Sequence, residues 1–236
     1  MTIQTDKGNL AQTAADALRE DIVKGVLPPG TALREQSLAE RLAVSRNTLR
    51  EAFRILEAQG LIDHRAHHGA TVRVLTAADI REIYAIRTTL ELRGVHCAAQ
   101  ADLARIDDLV DAANQLQHAA LRGEWDHVGT LSLAVHRRIV QLIGSPRLDD
   151  LFSTIAAQAR LVFSYEHDAR AFQMPWIMRD VEICTLICDG KRAEAARALQ
   201  IYLLESEQRI LELIRARSIR RPEAIFDPIA AQDLAS

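Results

Sequence analysis

Residues 35–59, EQSLAERLAVSRNTLREAFRILEAQ, decide how this chain reads. Leu49, Ala52, Phe53 and Leu56 recur at i, i+3, i+4 and i+7. That spacing gathers apolar side chains into one stripe of a helix and leaves Arg46, Asn47, Arg50 and Arg54 on its other side. Leu38, Ala39 and Leu42 give a shorter preceding helix its own apolar edge, and Ala43, Val44 and Ser45 form the turn between the two. Ser45 is placed to cap the second helix, whose first turn then presents Arg46, Asn47 and Thr48, with Arg50 one turn on. A guanidinium pairs bidentately with guanine, an amide pairs with adenine, and a helix N-terminus favours phosphate. These are the requirements of a helix that reads a DNA major groove. An ordinary helical hairpin with a solvated cationic face would share the stripe, so the flanking segments carry the distinction.

Gly60 closes the second helix. Downstream, Leu61 to Arg65 and Ala70 to Val74 are short segments in which Val72 and Val74 alternate with Thr71 and Arg73, predicting a two-stranded hairpin whose tip carries His68 and Gly69. Helix, turn, helix and hairpin make a winged helix-turn-helix, with the wing tip against the DNA backbone or minor groove. Upstream, residues 1–8 are expected to lack order. A first helix is expected from Asn9 to about Lys24, burying Leu10, Ala14, Ala17, Leu18, Ile22 and Val26. Gly25 ends it, and Leu27-Pro28-Pro29-Gly30 makes a turn that no helix can continue.

From Thr76 the period stays helical. Thr76 to Asp79 reads as a cap, and helices are expected at about 80–101, 103–121, 124–143, 146–168, 175–189 and 191–217, punctuated by Gly123, Gly144-Ser145-Pro146, Met174-Pro175 and Asp189-Gly190. The expected fold class is mainly α: a winged helix-turn-helix domain of three helices and a small β-hairpin at 9–75, then an all-α bundle of six to seven helices at 79–217. The tail after Ser218, with Pro222 and Pro228, is expected to be irregular.

Composition narrows the function. A hydrophobic content of 48% with 26% charged residues belongs to a globular protein, and 4% aromatics suits helices packed through Ala and Leu. No apolar run approaches the roughly 20 residues of a membrane span, and the N-terminus has no signal-peptide pattern, so a cytoplasmic protein without membrane contact is expected. Cys97, Cys184 and Cys188 lack disulfide or zinc-finger spacing, and Cys184 and Cys188 read as core thiols. Residues 1–75 hold ten Lys/Arg against nine Asp/Glu, whereas the whole chain is at −3. An acidic second half argues against a DNA-compacting protein. No phosphate loop, nucleophile elbow or HExxH motif is present, so no enzyme is expected.

The segment GVLPPGTALREQSLAERLAVSRNTLREAFRILEAQGLI at 25–62, followed by HHGATV at 67–72, resembles the DNA-binding domain of the GntR family of transcription regulators. The resemblance implies a homodimer that sets two recognition helices on a pseudo-palindromic, double-stranded operator. The family's contacts then fall on Arg46, Asn47, Thr48 and Arg50, with His68 and Gly69 at the wing. Two positions depart from the pattern. Gln36 stands where Arg is common, with Arg34 nearby as a substitute, and Ala43 stands at a turn position usually held by Gly. A left-handed backbone at Ala43 would cost about 1 kcal/mol.

The segments IYAIRTTLELRGVHCAA (83–99), HRRIVQLIGSPRL (136–148) and DGKRAEAARALQIYL (189–203) resemble the FCD effector domain of the FadR-type branch. The resemblance implies a small-molecule effector and, in many members, a divalent metal held by one Asp and three His. Those four positions fall on Ser132, His136, Asp180 and Tyr202, of which only His136 is retained, so no metal or other cofactor is expected. The same positions are the expected effector pocket: His136, Asp180 and Tyr202, joined by Arg87 and Arg160, with a small organic acid as the ligand because Arg engages carboxylates bidentately. The competing reading of Arg87 is an i, i+4 pair with Glu91 on a partly exposed face, and that of His136 is a hydrogen-bonded core histidine. The chain as a whole is expected to be a ligand-responsive repressor. A metal-dependent regulator of the same family is one alternative, and a helical-bundle enzyme with an appended DNA-binding domain is the other.

Overall fold

The computed structural model of the chain describes residues 4–65, 69–163 and 168–220. Its order is α1 (Gln4–Val23), β1 (Ala32–Leu33), α2 (Glu35–Arg41), α3 (Arg46–Ala58), β2 (Ile62–Arg65) and β3 (Gly69–Val72), then α4 (Ala77–Cys97), α5 (Leu103–Leu121), α6 (Trp125–Gln141), α7 (Pro146–Phe163), α8 (Ala169–Cys188) and α9 (Arg192–Arg220), with one 3-10 turn at Ala98–Gln100. The molecule is mainly α, as its spacing implies, with a small sheet confined to the first third.

In that first third, Ala14, Ala15, Leu18 and Ile22 of α1 pack on Leu49, Ala52, Phe53 and Leu56 of α3, the stripe that the sequence displays. α1 begins at Gln4 rather than Asn9. Its buried face is shifted from expectation: Ala11 and Ala15 are inside, while Leu10 and Val26 are 47% and 61% exposed. Ser45 caps α3 by accepting from the Thr48 amide. Ala43 has φ 53°, the left-handed conformation that favours glycine.

The sheet has three strands rather than two, in the order β1-β3-β2, with Leu33 opposite Ala70 and Ile62 opposite Val72, all antiparallel. Ala70 and Val72 face the core. Val74 lies beyond the strand and is exposed, so the expected alternation stops one residue pair early.

The capping box at Thr76 and Asp79 starts α4: the Asp79 carboxylate accepts from the Thr76 amide and hydroxyl, and Thr76 accepts from the Asp79 amide. Arg73 pairs with the other Asp79 oxygen at 2.5 Å, which ties the end of the sheet to the start of the bundle. Burial works to raise the Asp79 pKa, but the Thr76 hydrogen bonds and the Arg73 charge outweigh it and hold the carboxyl below its usual value.

In the bundle, α4 packs on α9 and α6, α5 on α6 and α8, and α8 on α9. α4 and α6 approach closely at Gly94, where a Cβ would lie 2.1 Å from the carbonyl oxygen of Ile139 in α6. α8 starts at Ala169 with Asp168 as its cap, six residues before the expected start, and Pro175 is inside it. The cost of the missing amide at Pro175 is offset by burying Phe172, Gln173 and Trp176 on either side of it. α7 is described as far as Phe163, the expected continuation over 164–167 lying outside the described residues, and α9 continues through the expected break near Ser218 to Arg220. The Pro222 and Pro228 region lies outside the described residues.

Candidate nucleic-acid interface and buried effector site

The first turn of α3 leaves Arg46 and Asn47 exposed at a capped helix N-terminus. Thr48 is half-buried and its hydroxyl is 2.8 Å from that of Ser45. Arg50 is exposed, and its Nε lies 3.1 and 3.0 Å from the two carboxylate oxygens of Glu35. This pair sets the start of α2 beside the second turn of α3, and so brings the exposed Arg34 and Gln36 next to the same surface. Gln36 donates to Glu40, while Arg34 and Arg46 form no ion pair among the described residues. Gly69 is exposed where β3 begins; His68 lies outside the described residues. The outward cations are therefore arranged along one helix end and the segment beside it, as a groove reader needs. Glu35 was not anticipated: it pairs with Arg50 and neutralises it in the free chain. The spacing from Glu35 to Arg50 spans the turn, so no helical periodicity reveals it.

The second constellation is inside the bundle. α4 supplies Arg87 and Glu91, α6 supplies Ser132 and His136, α8 supplies Asp180, and α9 supplies Tyr202. All six are buried. Arg87 Nε lies 2.9 Å from Glu91 Oε1, Glu91 Oε2 lies 2.6 Å from His136 Nδ1, and His136 Nε2 lies 3.2 Å from Asp180 Oδ1. Ser132 donates to Asp180 Oδ2 at 2.7 Å and its oxygen is 3.3 Å from the Tyr202 hydroxyl. The rings of His136 and Tyr202 are 4.8 Å apart, and Trp176 meets Tyr202 edge-on at 5.0 Å. Cations and carboxyls thus alternate from α4 across α6 to α8.

Electrostatics follows from that alternation. Burial alone would lower the His136 pKa, but the Glu91 charge and the two carboxyl partners outweigh it and push the imidazole up to about 9. Burial likewise disfavours the charged forms of Glu91 and Arg87. Their mutual attraction prevails, so the Glu91 pKa falls and the Arg87 pKa rises. Burial raises the Tyr202 pKa well above its ordinary value, so its hydroxyl remains a neutral donor. His136 Nε2 and Asp180 Oδ1, although close, make no well-aligned hydrogen bond with each other or with any other group among the described residues. His136 borders an internal cavity of about 10 Å³, lined also by Arg87, Ser132, Gln173, Trp176 and Tyr202 among others. That is room for about one water molecule.

The donor set does not suit a divalent metal. His136 and Asp180 are good ligands, but Ser132 and Tyr202 offer neutral hydroxyls, and Glu91 lies on the far nitrogen of the His136 ring, so it cannot converge on the same ion. No group of three or more His, Cys, Asp or Glu side chains among the described residues is arranged to hold a metal.

The expected pocket residues are brought together with one exception. His136, Tyr202 and Arg87 share the cavity, and Asp180 joins them behind its wall through His136 and Ser132, but Arg160 of α7 faces a separate cleft, donating to Thr130 Oγ1 at 3.1 Å. The Arg87–Glu91 pair forms, yet it is buried and not on a partly exposed face. Glu91 is the site residue that sequence reading underused, and a signal existed. Ile80, Ile83, Tyr84, Arg87, Glu91, Gly94 and Val95 make one continuous buried stripe of α4, so a charged pair on that stripe is necessarily inside. Gln173, Trp176 and Ser206 were also missed, because the phase of α8 was hidden by Pro175 and that of α9 by its length. Of the thiols, Cys184 is buried, with its pKa raised by burial, whereas Cys188 is exposed rather than a core thiol.

Known proteins agree with this architecture. Residues 10–72 match the family described as bacterial regulatory proteins, gntR family, and residues 82–205, more than half of the chain, match the FCD domain. A GntR transcriptional regulator from Rhodococcus sp. RHA1 superimposes with a TM-score of 0.80 at 35% identity, over 86% of this chain and 97% of that one. The Nta operon transcriptional regulator of Aminobacter aminovorans is 28% identical over 196 residues, 79% of this chain and 88% of its own length. The "Probable D-xylose utilization operon transcriptional repressor" of Paenarthrobacter nicotinovorans is 31% identical over 132 residues, covering 56% of this chain and 58% of that protein. These relatives are regulators and not enzymes, and no helix among the described residues is long and apolar enough to cross a membrane. With a capped, cation-bearing reading helix in front of a bundle that encloses a polar cavity, the chain belongs to the GntR family of transcription regulators, in the branch that carries an FCD domain.

Proposed function

We propose that this regulator is a repressor that acts in the cytoplasm as a homodimer, setting two copies of α3 on a pseudo-palindromic operator, and that a small organic acid entering the cavity around His136 releases it. The DNA contacts are Arg46, Asn47 and Arg50, supported by Arg34, Gln36, Thr48 and the wing at His68 and Gly69. The observation that carries the effector reading is the buried His136 Nε2, left without an aligned hydrogen-bond partner among the described residues on the wall of a cavity. Buried polar groups rarely lack partners, and such exceptions mark places where a ligand or water completes the set. Two cations, Arg87 and the charged His136, flank the space and suit a carboxylate.

The cavity holds only about one water, so a larger effector must displace the wall of Phe163, Phe172 and Trp176. That displacement moves α8 relative to α4, and α4 is tied to the reading domain through Thr76, Asp79 and Arg73. A change in the freedom of the two reading helices lowers operator affinity by a coupling energy of about 1–3 kcal/mol. The regulator works without a metal, since the donor set favours a proton on His136 in place of a cation.

A thermal-shift screen of organic acids and divalent metals on the full chain, followed by operator titration with any stabilising compound, tests this reading. The expected result is an acid that raises the melting temperature and weakens DNA binding in the parent chain. It should fail to weaken it in His136→Asn, which still binds DNA. Undiminished release in His136→Asn, or stabilisation by metals alone, would remove the proposal.

A further inference from the structure

A second cavity lies between the reading domain and the bundle. It measures about 530 Å³ and is lined by Arg19 of α1 and Gln59 at the end of α3 on one side, and by Arg137, Asp150, Thr154 and Arg160 of α6 and α7 on the other. Three guanidinium groups and one carboxylate face it. Arg160 is 8% exposed, donates to Thr130 Oγ1 and more weakly to the Asp126 carbonyl oxygen, and stacks on Phe163. No carboxylate lies within ion-pair distance of it among the described residues. A buried cation is normally paired, and Arg160, with the Asp126 charge acting on it only from beyond ion-pair distance, favours an anion in the cavity that it lines. Arg137 is exposed at the mouth of the cleft.

We propose that this interdomain cleft is a second ligand site, separate from the cavity at His136, which takes a small oxyanion, a carboxylate or a phosphate ester, on Arg160 and Arg137. The position of the site gives it a regulatory use. Gln59 is the C-cap of the reading helix. Its side-chain oxygen accepts from Arg19 Nε and Nη2 at 3.1 and 2.8 Å, and its carbonyl oxygen accepts from Gln158 Nε2 of α7 at 2.7 Å. A Cβ at Gly60, next to it, would lie 2.6 Å from Gln158 Nε2 and would push that side-chain amide off the Gln59 carbonyl. An anion held by Arg160 and Arg137 therefore touches the wall that joins the reading helix to the bundle, and fixes one domain against the other. Leu133 lines both this cleft and the inner cavity, so the two sites share a partition.

The inference rests on the cleft alone and does not require the effector reading of His136. Isothermal titration calorimetry of the full chain with citrate and, separately, inorganic phosphate, at matched ionic strength in chloride, tests it and distinguishes a carboxylate from a phosphate ligand. Saturable binding of at least one anion is expected. It should weaken at least about tenfold in Arg160→Gln and in Arg137→Glu, and be unchanged in Ser132→Ala, which alters only the inner cavity. Because Arg137 is exposed, that variant folds and decides the matter if Arg160→Gln does not. The proposal fails if neither anion binds saturably or if binding survives Arg137→Glu. It fails equally if Ser132→Ala abolishes binding while Arg137→Glu spares it, since the anion then belongs to the inner cavity.

Discussion

Oε2 of Glu91 lies 2.6 Å from Nδ1 of His136, and neither side chain is more than 1% exposed. This contact converts a histidine that could ligate a metal into an imidazolium held between two carboxyl groups, and it makes the interior of the bundle sensitive to pH.

The His136 pKa is about 9 in the folded chain, above the ordinary value of 6.5. Its contribution to stability is therefore complete below about pH 6.5 and is lost as pH rises through 9, to a total on the order of 3 kcal/mol. Glu91, whose pKa is lowered, acts in the opposite sense and loses its contribution as pH falls through the acidic range. Denaturant unfolding between pH 6 and 10 checks this: the parent chain should weaken across the window, and His136→Gln should show a flatter profile. Equal slopes would mean that His136 is neutral in the fold.

Arg87 and Glu91 should be costly to separate and cheaper to remove together. Glu91→Gln leaves a buried guanidinium unpaired and should cost about 3–5 kcal/mol, whereas Arg87→Met with Glu91→Leu should cost less than the sum of the single changes. A double-mutant cycle by urea unfolding measures the difference, and additivity would show that the pair does not act as a unit.

Gly94→Ala should destabilise the bundle by about 1–3 kcal/mol, because the new methyl lands on the Ile139 carbonyl oxygen and must drive α4 from α6. A parent-like melting temperature would show that the helices part freely at that crossing.

Ala43→Gly should stabilise the reading domain by less than about 1 kcal/mol, since φ 53° is easy for Gly and strained for Ala. Ser45→Ala should cost about 1 kcal/mol by removing the acceptor for the Thr48 amide. Thermal unfolding of both variants should move the midpoint in opposite directions.

How far sequence led depended on how local each feature is. The α3 stripe, the Ser45 cap and the Thr76–Asp79 box are set by neighbours within one or two turns, and they were legible. β1 was not: Ala32 and Leu33 form a strand only because β3, some forty residues away, pairs with them. The start of α8 was obscured because Pro175 reads as a boundary when isolated, although packing of Phe172 and Trp176 carries the helix through it. At the buried site, His136, Asp180 and Tyr202 were placed by family resemblance, while Arg160 was assigned to the wrong cavity because its identity does not reveal which face of α7 it occupies. The burial of Arg87 and Glu91 could have been read from their place on the α4 stripe.

We propose that the exposed first turn of α3 reads DNA while a separate helical body governs it. In vitro selection of random duplexes with the full chain, repeated with Arg46→Ala and Asn47→Ala, tests it most directly. Enrichment of inverted repeats with half-sites about 10 base pairs apart or a multiple of that is expected, with affinity for them lower by about 1–3 kcal/mol in Arg46→Ala and relaxed preference at one base pair per half-site. Selection of no common sequence, or of the same inverted repeat with equal affinity by both variants, would contradict it.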